Sequence, residues 1–228
     1  MNCGKLIIIL GISAVGKTYF KEYLTEKYDL YKLKKVVTRE KRKGEKNNTE
    51  INISEKEFED MIKNDEFFIY TKIYNNYYGY LNNDFKKIEE GSFAIGDCHY
   101  KLLSELKRTL KEKIIVICIK PYDIEKTKKK IREERQDYRQ RIFDIDEEYN
   151  FYEQNKDKID YIVYNDYSKN TEKEICKIMD KILYKGRKNR NEWKNNRTNC
   201  SRWCKIKWIF DERRTREWNS TNWNTWND

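Results

Sequence analysis

The fold is decided by the stretch Gly11-Ile12-Ser13-Ala14-Val15-Gly16-Lys17-Thr18, which follows an apolar run at residues 6–10 and precedes a helix-like pattern. Strand, glycine loop and helix in this order are the setting in which the G-x-x-x-x-G-K-[ST] motif binds phosphate. Two glycines let the backbone curl so that its N–H groups point at phosphate oxygens, and the helix adds its positive end. An ordinary tight turn that matches by chance is the alternative, and the flanking signals argue against it.

Two side chains of this stretch can act on a bound triphosphate. Lys17 is expected to reach the β- and γ-phosphates, and the Thr18 hydroxyl to hold Mg²⁺. The cofactors predicted from the motif are therefore ATP and Mg²⁺. The residues predicted to bind ATP here are Gly11, Ile12, Ser13, Ala14, Val15, Gly16, Lys17 and Thr18.

The composition limits the class of protein. The chain has 228 residues, a formal charge of +10 and 38% hydrophobic residues, which is enough for a core of ordinary size. No apolar run approaches the length of a membrane span, and the first one leads directly into the glycine loop, unlike a signal peptide. We therefore expect a soluble, cytoplasmic protein with no membrane partner.

The six cysteines are scattered along the chain. Four of them adjoin apolar residues and are predicted to be reduced core thiols. Cys200 and Cys204 have no second pair, and His99 is the only histidine, so the pattern argues against a zinc site.

A sharp change of composition near residue 184 predicts a domain at 1–184 and a disordered tail at 185–228. All six tryptophans lie in the tail, which carries twelve basic and five acidic side chains. Such a tail could instead stack on the bases of a single-stranded nucleic acid or lie at a membrane surface. The main body is only mildly basic, so we do not expect it to bind nucleic acid.

Strands alternate with helices across 1–184, which predicts an α/β fold with a central parallel sheet and helices on both faces. Strands are predicted at 5–10, 36–38, 67–73, 92–96, 114–119 and 161–164. Helices are predicted at 17–27, 55–64, 85–90, 102–110, 124–135 and 175–182, with a turn at 77–80. Ser54 and Glu57 form a capping box ahead of the second helix.

Polar clusters outside the glycine loop have two interpretations each. Arg39 and Arg42 either lie in solvent as ordinary surface charges or bind a phosphate through their guanidinium groups. The tyrosines at 77–80 either pack in the core or place a phenol on a bound phosphate. Asp97 follows a buried strand, at the sheet edge where ligands collect. The last cluster, either a solvated helix face or a mobile flap over a triphosphate, comprises Arg135, Arg139 and Arg141.

Over about residues 4–184 the sequence resembles the guanylate kinase family. Thr38-Arg39, Arg42 and Gly44-Glu45 match the T-R-x-x-R-x-G-E stretch of that family, and parts of 58–79 and 160–166 match two further blocks. The resemblance implies a P-loop nucleotide kinase fold with a small acceptor-binding part at about 35–92 and a short lid at about 126–145. It also implies ATP-dependent phosphoryl transfer to a nucleoside monophosphate by a monomer or homodimer.

The resemblance implies roles for individual residues. Arg39, Arg42 and Tyr78 would grip the phosphate of the acceptor, and Asp97 would orient a metal-bound water or the acceptor. Asn165 would lie near the adenine of ATP. The predicted catalytic residues, which balance charge on the transferred group, are Lys17 and the lid arginines Arg135, Arg139 and Arg141, whose spacing is shorter than in the family.

The positions that read guanine in this family are altered. Its guanine-binding carboxylate is replaced by Ile69, a small hydroxyl residue by Tyr80 and a serine by Lys35. A phosphate-gripping tyrosine is absent from 47–53, and a pair of acids is reduced to Asp97. Guanine N1–H and N2–H₂ would each lose an anionic acceptor, at a cost of about 1–3 kcal/mol when buried. The sequence therefore predicts an acceptor other than GMP, or poor turnover of GMP.

Two other functions stay open at this point. Guanylate-kinase-like domains also serve as non-catalytic nucleotide-binding or scaffold modules, which usually have a degraded phosphate loop. Nucleic-acid binding through the basic tail is the second alternative. The complete loop at 11–18 favours the enzyme.

Overall fold

A computed structural model describes residues 4–41, 50–73, 75–134 and 137–185. Backbone contacts group Met1–Ile182 into one unit, which contains both sheets and the glycine loop at 11–18. The predicted site residues Arg42 and Arg135, and the tail from residue 186, lie outside the described residues. Across the described ranges, no helix has both the length and the apolar character needed to cross a membrane.

The elements follow one another in mixed order along the chain. The strands are β1 (Leu6–Leu10), β2 (Tyr31–Lys32), β3 (Lys35–Val37), β4 (Glu50–Asn52), β5 (Phe67–Ile73), β6 (Asn76–Leu81), β7 (Ala94–Asp97), β8 (Ile114–Pro121) and β9 (Tyr161–Asn165). The helices are α1 (Lys17–Tyr28), α2 (Glu55–Lys63), α3 (Asn82–Glu89), α4 (Leu103–Leu110), α5 (Ile124–Glu134), α6 (Tyr138–Gln154) and α7 (Lys169–Lys185).

The main sheet contains five parallel strands in the order β2-β7-β1-β8-β9. Strand β1 is central, and all five of its residues are buried because the sheet is covered on both faces. Ile9 pairs with Asp97 of β7 and with Ile117 of β8, so β1 and β7 end side by side while β8 continues to Pro121. The predicted α/β class with a central parallel sheet is confirmed.

A second sheet of four strands has the order β4-β3-β6-β5. Phe58 of α2 stacks on Phe67 of β5 and on Tyr77 of β6, with ring centroids 4.2 and 4.9 Å away, and so packs the helix on one face of this sheet. Because side chains alternate along a strand, Tyr78 and Tyr80 lie on the opposite face. The predicted acceptor-binding residue Tyr78 therefore lies on the face of the small sheet that α2 does not cover.

The capping box predicted at Ser54 is present. The Glu57 N–H donates to Ser54 Oγ at 3.2 Å, and the Ser54 N–H donates to Glu57 Oε2 at 2.8 Å. The cysteines at positions 98, 118 and 176 are buried thiols, in agreement with the prediction.

The turn predicted at 77–80 is wrong, because these residues lie inside β6. Tyrosine favours strands, and pairing with β5 and β3 outweighs the turn preference of Gly79. Just ahead of the strand, Asn75 has a φ of 63°, a left-handed conformation that asparagine tolerates well.

The sequence pattern does not predict helix α6. Only Ile145 and Tyr152 are buried among its 17 residues, so its apolar period is weak. The helix occupies part of the segment expected to be a mobile flap, and it carries two of the three predicted lid arginines.

Candidate active site

The glycine loop lies at the carboxyl end of β1, between that strand and α1. Gly11 has a φ of 149°, and a Cβ there would meet the Ile119 carbonyl oxygen at 2.4 Å. Gly16 has a φ of 100°, and a Cβ there would meet Asn165 Nδ2 at 2.9 Å. Both positions therefore require glycine, and the loop closes against β8 and β9 because of it.

The Lys17 side chain folds back over this loop. Its Nζ donates to the carbonyl oxygens of Gly11 at 2.6 Å and Ile12 at 2.7 Å. Burial lowers the pKa of Lys17 to about 8, while the carboxylates of Glu148 and Asp97 oppose the shift. The next residue, Thr18, is exposed at the start of α1. The ammonium group therefore lies against the glycine loop, and the hydroxyl of Thr18 is open to solvent beside it.

Three side chains from later in the chain hold the loop from outside. Asn165 Nδ2 donates to the Val15 carbonyl oxygen at 2.9 Å, and Tyr167 Oη donates to the Ala14 carbonyl oxygen at 3.2 Å. Asn165 is buried, and its Oδ1 accepts from the Tyr167 N–H at 2.8 Å. The side chain predicted to lie near adenine is therefore a direct support of the phosphate loop.

The third of these side chains is Arg141 of α6. Its Nη1 donates to Ser13 Oγ at 3.3 Å, and its Nε donates to Asp137 Oδ1 at 2.7 Å. Arg139 is exposed and donates to the neighbouring Tyr138 hydroxyl at 3.2 Å. Of these two predicted lid arginines, Arg141 is the one with a hydrogen bond to the glycine loop.

Glu148 lies on the same face of α6 as Arg141, and the sequence did not single it out as a site residue. The spacing from Arg141 to Ile145, Glu148 and Tyr152 follows the helical repeat, which is the signal that could have found it. Tyr152 Oη donates to Glu148 Oε2 at 3.2 Å. Burial raises the pKa of Glu148 to about 7, against the opposing effect of Lys17.

Asp97 lies at the end of β7 between two ammonium groups. Lys21 Nζ is 2.6 Å from Oδ1, and Lys35 Nζ is 2.7 Å from Oδ2. Burial alone would raise the pKa of Asp97, but the two lysines outweigh it and hold this pKa well below its usual range. Lys21 is only 2% exposed. The sequence did not identify it as a site residue, although it follows Lys17 by one turn of α1.

On the small sheet, Arg39 forms a buried ion pair with Glu50 of β4. Its Nη1 also donates to the Glu40 carbonyl oxygen at 2.8 Å. Tyr78 lies in β6, where it pairs with Val37 of β3, two residues before Arg39. The two described members of the predicted acceptor phosphate site are therefore close along the sheet, and Glu50 is a further residue that the sequence did not suggest.

The three altered positions form one row across the small sheet. Ile69 of β5 is the register partner of Tyr80 in β6. Continuing the pairing of β6 with β3 puts Lys35 on the other side of Tyr80, and its Nζ lies 5.8 Å from the centre of that ring. Tyr80 Oη donates to the Asp97 carbonyl oxygen at 2.7 Å and accepts from the Asp97 N–H at 3.0 Å. This row therefore connects the small sheet to the end of β7.

A parallel sheet whose central strand runs into such a loop and helix is the fold of the P-loop nucleotide kinases. The structure of guanylate kinase from Anaplasma phagocytophilum is similar, with a TM-score of 0.63 and 19% identity over 83% of this chain and 89% of that one.

The sequence comparisons agree with the fold. The family model for guanylate kinase matches residues 3–182. A guanylate kinase of Prochlorococcus marinus is 30% identical over 181 residues, which is 78% of this chain and 98% of the relative. A guanylate kinase of the Wolbachia of Brugia malayi is 26% identical over 79% of this chain and 94% of the relative. The chain belongs to the guanylate kinase family, as its sequence predicts.

Proposed function

We propose that this protein is an ATP-dependent nucleoside monophosphate kinase that phosphorylates an acceptor other than GMP, or turns GMP over poorly. The observation that carries the catalytic part is the complete phosphate loop, with Lys17 folded over it and Arg141 bonded to Ser13. A non-catalytic scaffold would need neither Lys17 nor a supported loop. The family comparisons support transfer to a monophosphate.

The loop fits a triphosphate. Two glycines leave space that a Cβ would fill, and Lys17 would exchange two carbonyl oxygens for phosphate oxygens. The exposed Thr18 hydroxyl suits Mg²⁺, which keeps most of its ligands as water and phosphate oxygen. ATP with Mg²⁺ would supply the phosphoryl group and neutralise part of its charge.

The protein would contribute to phosphoryl transfer by positioning the two substrates and by stabilising the charge of the transferred group. Lys17 and Arg141 flank the loop, where negative charge spreads over the transferred group. Arg39 and Tyr78 would hold the acceptor phosphate, with Glu50 orienting the guanidinium. The lysines on Asp97 occupy both of its oxygens, so we propose that this residue organises the acceptor side rather than binding the metal.

The non-guanine part of the proposal is supported by the row of Lys35, Tyr80 and Ile69. Ile69 has no polar atom for the N1–H and N2–H₂ groups of guanine. Two unpaired donors would cost about 1–3 kcal/mol each, which together corresponds to roughly 30-fold to 3 × 10⁴-fold.

A transfer assay across nucleoside monophosphates tests the proposed function. We expect phosphoryl transfer from ATP and Mg²⁺ to at least one monophosphate, with kcat/KM for GMP lower than for the best acceptor by at least about 30-fold. Efficient GMP turnover with strong guanine preference would overturn the base assignment. ATP binding without transfer to any member of the panel would overturn the catalytic assignment.

Arg141→Ala should lower kcat/KM of the transfer by about 10²-fold, because it removes a cation held at the phosphate loop. Arg108→Ala is the matched control, since Arg108 is exposed on α4 and lies outside the glycine loop and the predicted lid. Steady-state kinetics with the best acceptor measures both. Equal effects of the two changes would contradict a role of Arg141 in transfer.

A further inference from the structure

Glu148 of α6 is a carboxylate near a loop whose proposed ligand is itself negatively charged. The proposed transfer uses Lys17 and Arg141 and gives Glu148 no part. A role for this carboxylate rests on the proposed function, in which ATP occupies the glycine loop.

The position of Glu148 on the helix turns its side chain inward. It lies three residues after Ile145 and four before Tyr152, which are 2% and 1% exposed and share one face of α6. Arg141 begins this face and donates to Ser13 Oγ at 3.3 Å, so the face is directed at the glycine loop. Tyr152 Oη donates to Glu148 Oε2 at 3.2 Å and holds the carboxylate in place.

Glu148 and Lys17 act on each other more strongly than any other charged group acts on either. Burial lowers the pKa of Lys17 to about 8, and the carboxylate of Glu148 is the main charge that opposes this shift. Burial raises the pKa of Glu148 to about 7, and Lys17 is the main charge that opposes this shift, with Arg141 acting in the same direction. Near neutral pH the carboxyl group is therefore divided between its ionised and its protonated form.

Other ionisable groups also act on Glu148 from the elements packed around it. They include Lys17 of α1, Tyr100 ahead of α4, Cys118 of β8, and Arg141, Asp144, Tyr149 and Tyr152 of α6. Burial raises the pKa values of Cys118 and Tyr149 to about 12 and lowers the pKa of the nearby His99 to about 3. These three groups therefore keep their protonation state between pH 6 and pH 8.

We propose that ionised Glu148 positions Lys17 and Arg141 at the loop, and that it takes up one proton from solvent when a triphosphate binds there. Phosphate oxygens replace the carboxylate as the partners of the two cations, and their negative charge favours the neutral form of a nearby carboxyl group. The only bond formed on Glu148 is one O–H bond. A protonated carboxyl keeps an acceptor oxygen, so the hydrogen bond from Tyr152 can persist.

Calorimetry in two buffers of different ionisation enthalpy measures the protons that are taken up on binding. The probe is ATPγS with Mg²⁺ at pH 7, because its terminal thiophosphate is already ionised. The wild type should take up about half a proton per bound nucleotide, and Glu148→Gln at least about twofold less.

The outcomes of this experiment separate the two proposals. A wild-type uptake below about 0.1 proton overturns the inference, whatever the variant does. Equal uptake by the wild type and Glu148→Gln also overturns it, because the proton then goes elsewhere. A wild type that does not bind ATPγS contradicts the proposed function instead.

The affinity for ATPγS should depend on pH in the same way. The Kd of the wild type should rise by about 10-fold from pH 6 to pH 8, because ATPγS binds together with a proton on Glu148. The rise should be at least about 3-fold smaller in Glu148→Gln, where Lys17 still titrates.

Glu147→Gln is the matched control, since Glu147 is the neighbouring carboxylate, is exposed and pairs with Lys101 at 3.7 Å. It should behave as the wild type in both measurements. If Glu147→Gln reduces the pH dependence as much as Glu148→Gln does, the general charge of α6 is responsible and the inference is wrong.

Discussion

Lys17→Ala is expected to lower kcat/KM for phosphoryl transfer by about 10³-fold or more while the protein stays folded. In the proposed mechanism the ammonium group stabilises negative charge on the transferred group, and such preorganised charge contributes about 10²–10³-fold. The fold should persist because Asn165 and Tyr167 also hold the loop, through the carbonyl oxygens of Val15 and Ala14. The measurement is steady-state transfer with the best acceptor, together with a thermal unfolding curve.

Lys27→Ala provides the matched control for this change. Lys27 is exposed on the same helix and donates to the Tyr23 hydroxyl at 3.2 Å. It should keep transfer within about 2-fold of the wild type, because surface substitutions of this kind have small effects. Full activity in Lys17→Ala would contradict the assignment of the loop as the ATP site.

Asp97→Asn is expected to lower the free energy of unfolding at pH 7 by about 3–5 kcal/mol. Breaking a buried ion pair by removing one partner leaves an uncompensated charge, and here Lys21 and Lys35 both lose theirs. Denaturant unfolding measures the change. Asp60→Asn is the control, because its pair with Lys63 is solvent-exposed and should contribute less than about 1 kcal/mol.

The difference in stability between the wild type and Asp97→Asn should also depend on pH, in a direction that the pKa of Asp97 determines. The folded-state pKa of Asp97 is depressed, so its stabilisation is complete above the unfolded pKa of about 4 and is lost as the pH falls below it. The stability gap between wild type and Asp97→Asn should therefore narrow between about pH 4 and pH 2. A gap that stays constant over this range would show that the lysines do not stabilise the ionised carboxylate.

The sequence predicts the parts of the site that are local in the chain. The motif at 11–18 defines the loop, and strand periodicity places Asp97 at the end of its strand. It does not predict contacts that depend on packing between distant segments. Lys21 meets Asp97 only because α1 crosses β7, and Glu148 approaches Lys17 only because α6 packs over the loop. Helix α6 itself carries too few buried residues to give a clear period.

The positions that differ from the guanylate kinase family also show that local sequence does not reveal contacts between distant segments. Ile69, Tyr80 and Lys35 are separate substitutions in the sequence, and nothing local indicates that they lie together. The registers of β5, β6 and β3 bring them into one row, so a change at one position alters the surroundings of the others. The prediction of a turn at 77–80 is wrong for a related reason. These residues form a strand because they pair with distant strands, which the local sequence does not reveal.

The support of the phosphate loop by Asn165 has a consequence for biosynthesis. The bond joins positions 150 residues apart, and β1 has both of its neighbours, β7 and β8, far downstream. During translation the glycine loop would therefore lack the support of Asn165 until β9 has left the ribosome. Nucleotide capture would then begin only late in translation, and contacts of such large sequence separation would make folding slow.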